Sequence, residues 1–408
     1  MRGERHTILA FFVFLSRNFV RQPIYSFLIL VISFITLVLS LQVDAIQVGA
    51  ERGDKYLPLL AGKRVGLVVN QSARVHDQHL LDYLTDNQVN VVRIFAPEHG
   101  FRGDRGAGVY ISDGKDTKTG VPIVSLYGAN KKPKPEQLID IDILVFDIQD
   151  VGVRFYTYLS TMFLTMEAAQ QNGLSYLVLD RPNPNIAYVE GPVLDNHFRS
   201  FVGMVPVPIL HGMTLGELAR MIVGERWFDG DGALNLTVVP VAQYSAQHEY
   251  VLPIAPSPNL PNQQAIHLYP SLCLFEATRV SVGRGSDFPF QVFGHDQIRL
   301  GSLAFTPRAI QGVAAHPKLQ GKAVYATDLR HSEQRGFSLD WLVQAQAAFA
   351  QHSEVLINSP GFFDKLAGTD VVRLALAQGL KAHQIEAIWQ QEVQTFKTRR
   401  LPYLLYER

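Results

Sequence analysis

Short apolar runs rich in β-branched residues alternate along this chain with stretches of helical periodicity, and four of the runs end in clusters of polar side chains. Residues 90–95 lead into Ala96-Pro97-Glu98-His99-Gly100-Phe101-Arg102-Gly103, and 143–146 lead into Asp147-Ile148-Gln149-Asp150-Val151-Gly152-Val153-Arg154-Phe155-Tyr156. Ser175–Leu179 leads into Asp180-Arg181-Pro182-Asn183-Pro184, and 207–210 into His211-Gly212. Continuous apolar runs of this length read as strands buried on both faces of a parallel sheet. Further strands are predicted over 64–70, 122–126 and 236–241. Helices are predicted over 79–87, 134–139, 157–171 (stopped by Asn172-Gly173) and 214–226 (opened by the capping-box pair Thr214 and Glu217). The alternation predicts βαβ crossovers, hence an α/β fold with a mainly parallel sheet. Ligands in such sheets bind beyond the carboxyl ends of the strands. Four polar clusters at four strand ends therefore predict one shared site rich in carboxylates and arginines.

The prolines and asparagines of 252–270 break the pattern, and this stretch is read as an irregular crossing between two parts of the chain. Beyond it the pattern predicts strands near 278–282 and 323–326, and helices near 339–351, 369–378 and 382–396. The N-terminus differs again. Arg2, Arg5, Arg17 and Arg21 precede a low-polarity stretch over 24–43, which is about the length of a membrane span. This reads as an export signal, either cleaved or kept as an inner-membrane anchor, with the remainder periplasmic or secreted. The chain thus divides into 1–50 (signal or anchor), 51–262 (parallel-sheet domain) and 263–408 (second domain).

Composition narrows the function classes. Hydrophobic residues make up 47% and charged residues 18% of the 408 positions, enough for a sizeable core. Lys+Arg and Asp+Glu are both 37, and the zero net charge argues against nucleic acid as a partner. The single cysteine, Cys273, excludes an intramolecular disulfide and a cysteine-based zinc site. P-loop, G-x-S-x-G and H-E-x-x-H patterns do not occur, so neither a metal nor a nucleotide cofactor is expected.

Glu98 follows a strand and stands between Phe95 and Phe101, where desolvation would raise its pKa toward the range of a general acid. The competing role is to brace its loop by bonding backbone amides. Arg154 either clamps a ligand carboxylate or serves as counter-ion to Asp150. Tyr156 either stacks on a sugar or belongs to the core, and Asp147 calls for a buried partner. Asp180, Arg181, Asn183 and His211 occupy similar strand-end positions. Glu276, after the apolar 272–275, is a second candidate carboxylate.

Taken in order, these motifs resemble the bacterial exo-β-N-acetylmuramidases of peptidoglycan recycling (the NamZ type), from about residue 50 to the C-terminus. The resemblance also rests on Glu190-Gly191-Pro192, His211-Gly212-Met213-Thr214, Pro256-Ser257-Pro258-Asn259-Leu260-Pro261, Phe275-Glu276-Ala277-Thr278, Val282-Gly283-Arg284-Gly285 and Phe362-Phe363-Asp364-Lys365-Leu366-Ala367-Gly368. Ala277 stands where glycine is expected, and the long apolar N-terminus departs from the usual cleaved signal. The resemblance implies a Rossmann-like domain, a smaller C-terminal α/β domain and an active-site cleft between them. The implied reaction releases N-acetylmuramic acid from non-reducing ends of cell-wall fragments. Glycoside cleavage ordinarily uses two carboxyl groups, so Glu98 and Glu276 are the expected pair, with Asp150 in reserve. Arg154, then Arg284, is expected to read the lactyl carboxylate. His99, Asp147, Gln149, Tyr156, Asp180, Arg181, Asn183, His211 and Asn259 complete the expected substrate-binding set. A non-catalytic peptidoglycan-binding protein and, further off, a serine esterase are the competing classes.

Overall fold

The computed structural model describes residues 46–98, 100–102, 114–230 and 232–408. The expected N-terminal signal or anchor, His99 and residues 103–113 lie outside the described residues. Among the described residues no helix is long and apolar enough to cross a membrane.

Apart from a small hairpin of β2 (Arg74–Val75) and β3 (Gln78–His79), seven strands form the main sheet: β1 (Arg64–Val69), β4 (Asn90–Ala96), β5 (Gly114–Lys115), β6 (Pro122–Ser125), β7 (Ile143–Asp147), β8 (Ser175–Leu179) and β11 (Asn235–Val239). Their spatial order is β11-β8-β7-β1-β4-β6-β5, with β5 antiparallel to β6 and every other pairing parallel. The chain builds outward from β1 through β4 to β6, then returns to the other side of β1 and builds outward again through β7, β8 and β11. This is the order of a Rossmann-like sheet, with its switch point between β1 and β7. The central strands β1, β7 and β8 bury both faces, and the period of two sorts their residues. Leu144, Phe146, Tyr176 and Val178 enter one apolar core, while Ile143, Val145, Leu177 and Leu179 enter the other.

The first of these cores does not stop at the end of the parallel sheet. It continues through Phe275, Phe293, Phe349, Phe363 and Trp389 of the C-terminal part, so residues Gln47–Arg408 form one compact unit. The C-terminal part carries a three-stranded antiparallel sheet of β12 (Val292–His295), β14 (Val324–Asp328) and β13 (Leu303–Phe305), in that order, with five helices between Asp340 and Arg399.

Four expectations need correction. Residues 208–210 are a strand, β10 (Pro208–Leu210), but it pairs antiparallel with β9 (Glu190–Val193) in a hairpin outside the main sheet. Residues 278–282 make no strand, because Thr278 bridges Ile357 while Ser281 bridges Gly294, and no ladder connects two different partners. The stretch 252–270 is irregular only in its first half. Asn262 caps a helix, Gln263–Leu272, by accepting the Ala265 amide at 2.9 Å, and Pro270 is tolerated near its end. The helix expected over 382–396 is two, Ala382–Ala387 and Gln390–Arg399.

Candidate active site

Glu98 stands just past the carboxyl end of β4 and lines a cavity of about 120 Å³. Thr157 and Tyr158, at the start of the helix Tyr158–Gln171, form one wall with Phe155 and Tyr156. Ser257, Asn259 and Leu260 form a second wall, and Tyr269, Arg284 and Phe290 of the C-terminal part close the third. Both halves of the chain therefore build this cleft.

Burial pushes the Glu98 carboxyl above the ordinary glutamate range, opposed by the neighbouring Tyr127 phenol and by the charges of Arg284 and Lys131. Desolvation has the largest effect, so the protonated form survives to higher pH than in water. Tyr127 follows β6, and its own phenol is pushed up by burial and by Glu98. Arg284 donates from Nε to Oε1 of Glu276 at 3.1 Å and lies 4.8 Å over the Phe290 ring. One edge of the guanidinium is thus held by Glu276, and its plane by an aromatic face. The Glu276 segment is itself tethered. Lys318 donates from Nζ to the carbonyls of Phe275 at 3.0 Å, Glu276 at 3.4 Å and Thr278 at 2.5 Å.

Glu98 and Glu276 therefore come from opposite halves of the chain and both interact with Arg284, but Glu98 lines the cavity while Glu276 holds the arginine. Tyr156 and Asn259 also face the cavity. Asn259 donates from Nδ2 to the Val313 carbonyl at 2.9 Å, and its Oδ1 has no hydrogen-bond partner among the described residues. The helix Tyr158–Gln171 has no side-chain cap at Thr157, so its first amides carry the positive end of the helix dipole to the cavity wall.

Other expected residues go elsewhere. Arg154 does not reach the cavity, and its expectation as the carboxylate reader is corrected. It is fully buried, donating from Nη1 to the carbonyls of Pro192 and Val207 (both 2.8 Å) and from Nη2 to those of Leu366 (3.0 Å) and Ala367 (2.7 Å). The last two carbonyls end the helix Pro360–Ala367, so Arg154 caps that helix and staples the halves together. Gly368, at φ +78°, leaves room for it, since a Cβ there would fall 2.6 Å from Arg154 Nη2.

Asp180 accepts from Thr214 Oγ1 (2.6 Å), Tyr406 Oη (2.6 Å), Gly216 N (2.8 Å) and Arg181 N (3.0 Å). With these four donors it braces the start of the helix Leu215–Gly224 rather than a ligand. Burial nevertheless raises its pKa to about 6. Asn183 is spent on Met213 O and Asn185 N. His211 is fully buried and neutral, its pKa driven down to about 3 by desolvation and by Arg400 and Arg154. Asp147 and Arg181 form a buried pair, Nε to Oδ1 2.5 Å and Nη2 to Oδ2 2.9 Å. Gln149 spends its side-chain amide on the carbonyls of Asp150 and Pro182. Asp150 is not among the residues that line the cavity. Its Oδ2 accepts from Gly152 N at 2.6 Å, its Oδ1 has no partner among the described residues, and burial raises its pKa to about 7. Its charge is felt by Tyr156 and Tyr158.

Several residues in or beside the cavity escaped the sequence reading. Tyr127 could have been found, because it follows the predicted strand at 122–126 as Glu98 follows its own. Ser257 sat unremarked inside a motif, and Tyr158 inside a predicted helix. Tyr269 and Phe290 carry no signal of their own, since only the packing of the C-terminal part turns them to the cleft.

Known proteins resemble this chain in sequence and fold. The N-terminal model of the exo-β-N-acetylmuramidase NamZ family matches residues 65–264, and its C-terminal model matches 267–406. The peptidoglycan β-N-acetylmuramidase NamZ of Bacillus subtilis (strain 168) is 39% identical over 377 residues, covering 86% of this chain and 89% of that protein. Crystal structures of two DUF1343 family proteins from Bacteroides fragilis superpose with TM-scores of 0.82 and 0.77, at 45% and 29% identity. Each comparison covers 89% of this chain and 99% of the solved chain. With both family models matched across a fold that builds its cleft from both halves, the chain belongs to the NamZ exo-β-N-acetylmuramidase family.

Proposed function

We propose that this protein is an exo-acting glycoside hydrolase that releases N-acetylmuramic acid from the non-reducing ends of peptidoglycan fragments. The observation that carries the reading is the meeting of Glu98 and Arg284 in one cleft built by both halves. Glu98, desolvated and protonated beyond the ordinary glutamate range, gives its proton to the glycosidic oxygen as the bond from that oxygen to the anomeric carbon breaks. A water molecule adds to the anomeric carbon, and its released proton restores the Glu98 carboxyl by way of solvent. Arg284, fixed through Nε by Glu276, keeps its outer edge for a carboxylate, and the lactyl group of muramic acid supplies one. The positive end of the helix Tyr158–Gln171 favours the same anion. Glu276 acts by orienting Arg284, and Tyr156 and Asn259 meet the sugar ring and its polar substituents.

The test is incubation of the purified protein with a chromogenic β-glycoside of N-acetylmuramic acid. Release of the chromophore, absent with the matching N-acetylglucosaminide that lacks the lactyl acid, is the expected result. Tight binding without release would instead identify a peptidoglycan-binding protein. The Arg-rich, then apolar, N-terminal 43 residues support export to the cell envelope, where such fragments arise. Fractionation of cells expressing the full chain tests that part, and a wholly cytosolic product would refute it.

A further inference from the structure

A second cavity, of about 310 Å³, opens beyond the carboxyl ends of β1, β7 and β8, away from Glu98. It lies at the point where the strand order reverses, the usual ligand crevice of such sheets, whereas the Glu98 cavity sits off the end of β4. Ligand cavities ordinarily measure about 300–1,000 Å³. The second cavity falls in that range, and the Glu98 cavity at about 120 Å³ is too small for more than part of a saccharide.

The chemistry of its walls is balanced rather than charged. Arg181 is already neutralised by Asp147. Glu51 faces His76 at 3.3 Å, and Arg74 and Asp77 contribute one charge of each sign. Tyr250 adds an aromatic ring close enough to Arg181 and Glu51 to feel both charges, with Pro253 and Ile254 beside it. A net anion or cation gains little from such a wall. A neutral ring bearing hydroxyl and amide groups finds donors, acceptors and an aromatic face together.

The two cavities share a partition. Pro253 and Ile254 line the second, and Ser257 and Asn259 line the first. Ile254 and Ser257 are three residues apart, so their Cα atoms are at most about 11 Å apart. The partition is pinned at the Pro256 carbonyl, which accepts from Gln71 Nε2 at 3.2 Å and from Tyr158 Oη at 3.5 Å. Lining residues of the two cavities therefore stand within about 11 Å of each other across this partition, a spacing suited to the following units of a saccharide whose terminal unit lies at Glu98.

We propose that the cavity between Arg74 and Tyr250 is a second saccharide-binding site, which holds a neutral N-acetylated amino sugar on the leaving-group side of the bond cleaved at Glu98. This rests on the glycosidase reading above. The experiment compares Arg74→Ala and Tyr250→Ala in the full-length protein on two substrates: the chromogenic muramic acid glycoside, which has no second sugar, and a tetrasaccharide of alternating N-acetylmuramic acid and N-acetylglucosamine. The expected result is kcat/KM within about twofold of wild type on the first, and KM raised at least about fivefold on the second. Tyr250→Phe, which keeps the ring, should restore the tetrasaccharide KM. Equal losses on both substrates, or no loss on either, overturn the proposal. If wild type cleaves neither substrate, the glycosidase reading itself fails. Calorimetric titration with the neutral disaccharide of N-acetylglucosamine then examines the second cavity alone, and the absence of binding sensitive to Arg74→Ala overturns it.

Discussion

Arg154 and Arg284 each follow a strand-like run, and each stands within a few residues of an acidic side chain, yet their surroundings assign them opposite tasks. Around Arg154 the protein supplies every acceptor itself, four backbone carbonyls from three segments, and leaves no surface exposed. Around Arg284 it supplies one carboxylate and one aromatic face, and leaves about a third of the side chain open at the cleft. A guanidinium becomes a staple when both of its terminal nitrogens are held from within, as in Arg154, whose Nε alone has no partner among the described residues, and a reader when those terminal nitrogens are left for something else. The same contrast separates Asp180, with four internal donors, from Glu98, which keeps a cavity-facing carboxyl.

The contrast can be broken experimentally, and the largest effect belongs to the cleft. Glu98→Gln should lower kcat by roughly 10²–10⁴, the contribution of a general acid, with an unchanged melting temperature. A loss under about threefold in steady-state assays would remove Glu98 from that role.

Arg154→Met should cost about 3–5 kcal/mol in urea unfolding, because breaking a buried charged network leaves its acceptors unpaired. The fraction still folded should turn over with normal KM. Arg284→Met should do the reverse. Its stability should change by less than about 1 kcal/mol, as expected for a partly exposed pair. Its KM for muramic acid substrates should rise about 10- to 100-fold, the value of a charged hydrogen-bonded contact. Should the two variants exchange phenotypes, the assignment of staple and reader falls.

Glu276→Gln retains a hydrogen-bond acceptor for Arg284, so a rise in KM of about tenfold or less, with kcat nearly intact, is expected. A fall in kcat as large as that of Glu98→Gln would make Glu276 a reacting carboxylate instead.

The smallest effect concerns pH. A general acid works protonated, so kcat/KM should fall as pH rises through the pKa of Glu98, which burial places above the ordinary glutamate value. Tyr127 favours the ionised form. Tyr127→Phe should therefore move this alkaline limb to still higher pH while leaving the plateau rate within a few-fold. A limb that stays put or moves down would show that Tyr127 does not touch the working carboxyl.

Most of the parallel sheet was legible along the chain, because strands buried on both faces must be continuously apolar and short. β8 was bounded to the residue, and β4 and β7 to within one. The capping box was equally legible. Glu217 N donates to Thr214 Oγ1 at 3.2 Å, and Thr214 N to Glu217 Oε2 at 3.0 Å. The β10 run misled, since an apolar hairpin packed on the core has the same composition as a sheet strand. The helix Gln263–Leu272 was hidden by Pro261 and Pro270, although Asn262 was a legible cap. In the site, Glu98 could be singled out because it follows an apolar strand, whereas the phenylalanines that share its cavity, Phe155 and Phe290, come from remote segments.

What the chain order determined by itself is local: period, caps, and which polar residues stand at strand ends. All of these depend on neighbours within one or two turns. Which of those polar groups remain free was decided by the tertiary structure alone. Arg154 was spent on Leu366 and Ala367, 212 and 213 residues away, and Glu98 met Arg284 only because one core continues through both halves. A side chain's chemistry is fixed by the acceptors and donors already within its reach, and for these residues the partners come from remote parts of the chain.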